Sequence, residues 1–166
     1  TGERIKYLTA LLNSKLLTYA FRSFYAGGDL QGNTFRYKQA FIEQLAVPRL
    51  ENHTQQLFEA LMSFIQGAKM SNGDSFVAIA YFLEDLIDAC VFELYLPEHM
   101  AERKLLFFDN TEMLLDKYNP TESEAKQREF LTDFYRTANA SDHPIRNRLL
   151  RLTSDSPDLL AVIMKE

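Results

Sequence analysis

The sequence predicts a mainly α-helical protein. We expect a helical bundle with one glycine-rich, irregular segment at 27–48. The sequence does not decide whether the fold also contains a minor element of short strand. Three observations lead to this prediction. Apolar residues recur every three or four positions along most of the chain, which places them on one face of a helix. Glycine, asparagine and proline separate these stretches at short intervals. The 166 residues are 46% hydrophobic and 13% aromatic, so the chain can bury a substantial core.

Two short helices are predicted before the glycine-rich segment. Residues 4–12 are predicted to form a helix, because apolar residues recur there at helical spacing. Its inward face would carry Ile5, Leu8, Leu11 and Leu12. The pair Asn13-Ser14 is expected to break this helix and provide the N-cap of the next one. The second helix is expected to bury Leu16, Leu17, Tyr19, Ala20, Phe21, Phe24 and Tyr25.

The irregular segment follows directly. Gly27 and Gly28 are expected to end the second helix as a C-cap. Residues 37–45 have the pattern of one or two helical turns, and Pro48 ends them because proline has no backbone donor and restrains the residue before it. We therefore place a boundary near residue 50, between a first domain at 1–50 and a helical second domain at 51–166.

The second domain is expected to begin with a helical hairpin. An amphipathic helix over 51–69 and another over 76–95 are joined by a short turn, so the two should pack antiparallel. Asp74 or Ser75 is the expected N-cap of the later helix.

Further helices are expected after the hairpin. One runs from Pro97 to about Tyr118, another covers 122–137, and a shorter one follows Pro144. Residues 159–164 are apolar enough for either a strand or a final helical turn, and periodicity does not choose between them.

Charge is distributed unevenly along the chain. The net charge is -5. Residues 1–50 carry seven Lys or Arg and three acids, a balance of +4, whereas residues 51–140 carry seven and sixteen, a balance of -9. Residues 141–166 carry four of each. A polyanion needs a local positive face, so the first 50 residues could bind nucleic acid while the acidic middle should repel phosphate.

Other features of the composition limit the class of protein. The single cysteine, Cys90, excludes an internal disulfide framework and fits a reducing cytoplasm. No apolar run approaches the roughly 20 residues that cross a bilayer, so we expect no membrane partner. The chain starts at Thr1 without a methionine or a signal peptide. We interpret it as a piece of a longer protein.

The sequence offers no convincing catalytic or metal site. Glu84, Asp85 and Asp88 are expected to form a solvated helix face, and His99 has no second histidine nearby. Cys90 is expected in the core. The Glu-x-Lys pairs at 102–104 and 124–126 lie in predicted helices, without the strand that precedes such pairs in metal-dependent nucleases. No glycine-rich strand-to-helix turn for a methyl donor is present.

The glycine-rich segment has a composition that suits a nucleic-acid groove. Arg36 and Lys38 supply cations for phosphates or guanine, and Gln31 and Asn33 can pair with adenine. Lys15 and Arg22 are seven positions apart, which places both near one face of the predicted helix. Composition by itself favours an ordinary connecting loop, with Lys15 and Arg22 as solvated surface.

A family resemblance favours the nucleic-acid interpretation. The first 50 residues resemble the closing segment of the TaqI-like specificity domain, found in type IIG restriction–modification enzymes and adenine-N6 DNA methyltransferases. The matching positions are Tyr7-Leu8, Leu12-Asn13-Ser14-Lys15-Leu16, Gly27-Gly28, Arg36-Tyr37-Lys38 and Glu43-Gln44-Leu45-Ala46-Val47-Pro48. Gln39 replaces a common second lysine, and Ala46 replaces a proline. A looser likeness covers Phe82 to Tyr95.

The resemblance implies a DNA-recognition part of a larger enzyme in a prokaryotic cytoplasm. The parent would transfer methyl from S-adenosylmethionine to adenine N6 of double-stranded DNA, and cleavage with Mg²⁺ is left open. This piece would hold no cofactor and no catalytic residue, and it would contact the methyltransferase or nuclease part of the parent. The DNA-binding residues would be Lys15, Arg22, Gly27, Gly28, Gln31, Asn33, Arg36 and Lys38. The alternative is a helical protein-interaction module with a purely structural loop.

Overall fold

The computed structural model describes residues 4–24, 43–71 and 73–165. In these ranges it is helical and contains no strand, so the mainly α prediction is confirmed. The helices are α1 (Ile5–Asn13), α2 (Lys15–Phe24), α3 (Asn52–Lys69), α4 (Asp74–Tyr95), α5 (Pro97–Glu102), α6 (Phe108–Leu115), α7 (Glu124–Ala138), α8 (Pro144–Arg151) and α9 (Leu160–Ile163).

The hairpin of α3 and α4 is the centre of the fold. Helix α1 packs on α3, and α2 packs on α4 and α9. Helices α5, α7 and α8 also contact α4, whereas α6 contacts α3. The longest helix, α4, is buried on all sides over residues 86–92, and this central position explains why it is so apolar there.

Local signals placed several helix boundaries correctly. The hydroxyl of Ser14 accepts the N–H of Leu17 at 3.3 Å, as expected of an N-cap between α1 and α2. The hairpin helices begin and end close to the predicted residues. Of the two structures left open for 159–164, the chain forms a short helix there, α9.

The predicted helix from Pro97 to about Tyr118 was wrong. It is two helices, α5 and α6, separated by residues 103–107. Lys104 adopts a left-handed backbone conformation with φ of 57°, which interrupts a right-handed helix. The side chains of Leu105 and Phe107 in this connection are fully buried, so core packing offsets the cost of the break.

Three local predictions also need correction. Ile5 is 80% exposed and Phe24 is 77% exposed, because α1 and α2 turn other residues inward, chiefly Tyr7 and Leu17. Asp74 is the first residue of α4 rather than its N-cap. The cap position belongs to Gly73, whose φ of 125° suits glycine. Tyr25, another predicted core residue, lies outside the described residues.

The described helices on either side of residue 50 share one hydrophobic core. Tyr7, Leu11 and Leu17 from the first part belong to the same buried cluster as Phe58, from α3, and Phe92, from α4. The boundary near residue 50 therefore does not separate two cores among the residues that the structure describes. Much of the proposed first domain, residues 25–42, lies outside them.

Candidate nucleic-acid interface

Two of the eight predicted DNA-binding residues lie within the described chain. Lys15 is the first residue of α2, and Arg22 lies two turns further along the same helix. Both are half-buried. The other six, which are Gly27, Gly28, Gln31, Asn33, Arg36 and Lys38, lie outside the described residues. The structure therefore provides the elements that lead into and out of the glycine-rich segment.

Lys15 is held at both its backbone and its side chain. Its backbone N–H donates to Asp88 Oδ1 of α4 at 2.8 Å. Its ammonium donates to the carbonyl oxygen of Met164, just after α9, at 3.3 Å. The first contact satisfies one of the N–H groups that every helix leaves unpaired at its N-terminus. Lys15 thus contributes to the docking of α2, and its use as a phosphate contact stays a prediction.

Asp88 does not lie on a solvated face, and that part of the sequence interpretation was wrong. Only 6% of the residue is exposed. Burial raises the pKa of its carboxyl group to about 6, although the N–H and the positive charge of Lys15 act in the opposite direction. A buried carboxylate is costly unless hydrogen-bonded, and the N-terminus of α2 supplies both a donor and a favourable dipole. Asp88 is therefore a structural link between α4 and α2.

The exit from the glycine-rich segment is anchored by two tyrosine hydroxyls. Tyr7 of α1 donates to the carbonyl oxygen of Pro48 at 2.8 Å. Tyr95, the last residue of α4, donates to the carbonyl oxygen of Ala46 at 2.6 Å. Burial raises the pKa of Tyr95 to about 12, so its hydroxyl stays a proton donor at neutral pH. Residues 46–48 are consequently held by helices from both parts of the chain.

The separated motifs of the sequence meet in space through these contacts. Tyr7 comes from the Tyr-Leu motif at the start, and Pro48 ends the last motif of the same run. Tyr95 ends the region of looser likeness. Sequence reasoning used all three residues for the resemblance but did not assign them a role in anchoring. The partners are main-chain carbonyl groups, which leave no signature in residue type.

A cleft of about 690 Å³ lies between α1, α3 and α6. Its lining includes Arg4, Lys6, Glu59, Glu112 and Asp116, and also His53. Arg4 pairs with Glu59, and the ammonium of Lys6 donates to Ser63 Oγ at 2.7 Å. Because its acids outnumber its Lys and Arg and both of these cations are already engaged, the cleft is poorly suited to phosphate.

The described residues contain no group of three His, Cys, Asp or Glu side chains that could hold a metal ion. His99 instead makes a 2.8 Å hydrogen bond through Nε2 with Ser156 Oγ, and burial lowers its pKa. Cys90 is fully buried, and burial also raises the pKa of its thiol well above the usual range. Cys90 therefore belongs to the core, as expected, whereas His99 is half-buried and hydrogen-bonded.

Comparison of the chain with protein-family models, curated proteins and solved structures finds no match. Among the described helices, none has the length and apolar character needed to cross a bilayer. The site therefore has to be interpreted from its own residues and from the sequence motifs.

Proposed function

We propose that the chain is a DNA-recognition and helical C-terminal part of a restriction–modification enzyme whose parent methylates adenine N6. The proposal rests on the resemblance of the first 50 residues to specificity domains. S-adenosylmethionine, and Mg²⁺ if the parent also cleaves, would be bound outside this chain. The recognised partner would be double-stranded DNA, contacted by the segment between α2 and Ala46.

One observation supports this proposal above the others. The first and last motifs of the resembling run are joined by the hydrogen bond from Tyr7 to Pro48, and Tyr95 holds Ala46 next to it. Asp88 holds the N-terminus of α2, the helix that leads into the segment. A segment whose exit is fixed to the helical core loses less conformational entropy when it binds a ligand. The anchored exit is therefore expected to favour DNA binding by this segment.

The acidic helices would have a different role. Residues 51–140, with a balance of -9, contain α3 to α7. Such a surface repels phosphate, so it would orient the DNA toward the basic residues 1–50. The acidic helices α3 to α7 would then be available for contact with the rest of the parent protein. Lys15, Arg22, Arg36 and Lys38 would neutralise phosphates, and Gln31 and Asn33 would lie near base edges.

A fluorescence titration with labelled duplex DNA tests this proposal. At about 50 mM salt we expect binding that weakens steeply toward about 200 mM, because binding releases counterions from the phosphates. Arg36→Ala with Lys38→Ala should weaken binding at low salt and reduce the salt slope by about 2.

Lys117→Ala with Lys126→Ala is the matched control, because it removes the same charge from the acidic body. Absence of binding by the wild type at low salt, or equal losses in the two double variants, would refute the proposal.

A protein-interaction module remains the second candidate because of one surface. Val77 and Tyr81 lie one turn apart on α4 and are 53% and 65% exposed. Asp85, a further turn along, is also exposed. An apolar pair beside acids is more typical of contact with a basic protein surface than of contact with DNA. If the wild type fails to bind duplex DNA, this module becomes the favoured interpretation.

A further inference from the structure

The last residue of α4 contacts the main chain just after the proposed recognition segment. Tyr95 Oη lies 2.6 Å from the carbonyl oxygen of Ala46, a distance typical of a good O–H···O hydrogen bond. The exit segment at 43–50 has no helix or strand of its own to satisfy its carbonyl groups. Side-chain donors from neighbouring helices therefore help to position this segment, together with the packing of Leu45, Val47 and Leu50 against the core.

Helix α4 contacts the N-terminus of α2, the helix that precedes the recognition segment, as well as the exit segment. Asp88 and Tyr95 are separated by two turns of α4, and they contact Lys15 and Ala46 respectively. Helix α4 is well suited to this role because its side chains from 86 to 92 are all buried, which keeps it from moving relative to the core. The two contacts thus set the distance between the N-terminus of α2 and the exit segment.

We propose that Tyr95 is a positioning residue for DNA recognition, which acts through its hydrogen bond to Ala46 without touching DNA. Tyr7, through Pro48, is a second anchor of the same exit segment. The inference depends on the proposed function for its DNA readout. The anchoring itself is independent of that function and can be measured separately.

The variant that tests the inference is Tyr95→Phe, which removes one hydroxyl and keeps the ring. Tyr118→Phe is the matched control. Tyr118 packs edge-on against Phe64 with ring centroids 4.8 Å apart, and its hydroxyl makes no hydrogen bond within the described residues. Thermal unfolding of both variants checks that their stabilities agree, so that any further difference reflects position rather than global stability.

The first readout is tryptic cleavage after Arg49, which is exposed in the exit segment. Loss of one typical hydrogen bond should raise the cleavage rate about 2- to 10-fold in Tyr95→Phe and leave Tyr118→Phe unchanged. Tyr7→Phe should also raise it, because Pro48 directly precedes Arg49. Equal cleavage of Tyr95→Phe and wild type would overturn the anchoring.

The second readout is the Kd for duplex DNA at low salt. We expect Tyr95→Phe to bind about 3- to 10-fold more weakly than Tyr118→Phe, with the same salt slope, because no phosphate contact is lost. Faster cleavage without weaker DNA binding would overturn the positioning role. If the wild type binds no DNA, the proposed function fails, and the positioning role fails with it, whereas the cleavage result still decides whether Tyr95 anchors the exit segment.

Discussion

The substitution Asp88→Asn should stabilise the protein at neutral pH. The carboxyl group is 6% exposed, and burial raises its pKa from 3.8 to about 6. The ionised form is therefore less favourable in the folded chain than in water, even though Lys15 donates its N–H to Oδ1. An asparagine keeps an acceptor at that position and removes the charge.

The magnitude follows from the shift in pKa. Each unit corresponds to about 1.4 kcal/mol, so ionisation of Asp88 costs the folded state about 3 kcal/mol. Because the folded pKa is raised, the folded state binds more protons between about pH 4 and pH 6, and stability falls as pH rises through that window. Glu84, Asp85 and Lys15 are the charged groups that act on Asp88, and all three remain in the variant.

Urea unfolding of wild type and Asp88→Asn at pH 4 and pH 7 measures the effect. We expect equal stability at pH 4 and a gain of about 2–3 kcal/mol at pH 7, or about 5–10 °C in Tm. Asp88→Ala is the control, since it also removes the acceptor and leaves the Lys15 N–H unsatisfied, which offsets most of the gain. A variant less stable than wild type at pH 7 would show that the ionised contact is net favourable and refute the reasoning.

Three further predictions concern stability and can be checked by denaturant unfolding. Gly67→Ala should add about 0.5–1 kcal/mol, because Gly67 is an exposed residue inside α3 and an added Cβ would meet nothing within 4 Å; a loss would contradict this. Glu93→Ala should cost about 2–4 kcal/mol, since the carboxylate accepts the N–H groups of Phe107 and Phe108 at the start of α6, and Glu93→Gln should cost less. Phe64→Ala should cost about 3–5 kcal/mol of stability, because the ring is 3% exposed and packs against Tyr118, Phe130 and Phe134. A cost below about 1 kcal/mol would show that neighbouring side chains move to fill the cavity left by the ring.

Helix positions could be predicted where local signals were strong. Ser14 caps α2 through its own side chain, and the short turn after α3 forces an antiparallel hairpin. The break between α5 and α6 could not be predicted, because Lys104 is an ordinary helix former. That break depends on the burial of Leu105 and Phe107 and on the acceptance of two N–H groups by Glu93, which are tertiary interactions.

The candidate site, like the helices, could be predicted only where local signals were strong. Basic and glycine residues identified a possible recognition segment from composition, but the anchors of that segment were not identified. Asp88 was assigned to a solvated face because aspartate is rarely buried. The sequence nevertheless held a signal, since residues 86–92, Leu-Ile-Asp-Ala-Cys-Val-Phe, are apolar all round the helix apart from this one acid. An acid inside such a stretch has no solvated face available and needs a donor from a neighbouring element.

The unfavourable charge of Asp88 indicates that this residue has a role in the docking of α2 on α4. A neutral asparagine would hold the Lys15 N–H at lower cost, so stability alone does not explain an aspartate there. The carboxylate of Asp88, on α4, lies beside the start of α2. It attracts the positive end of the α2 dipole and the ammonium of Lys15, and both interactions favour one docked position of α2. We therefore expect Asp88→Asn to give a more stable protein with a less firmly docked α2, seen as faster hydrogen exchange of the α2 amides despite a higher Tm. Slower exchange along α2 would show that the charge has no such role.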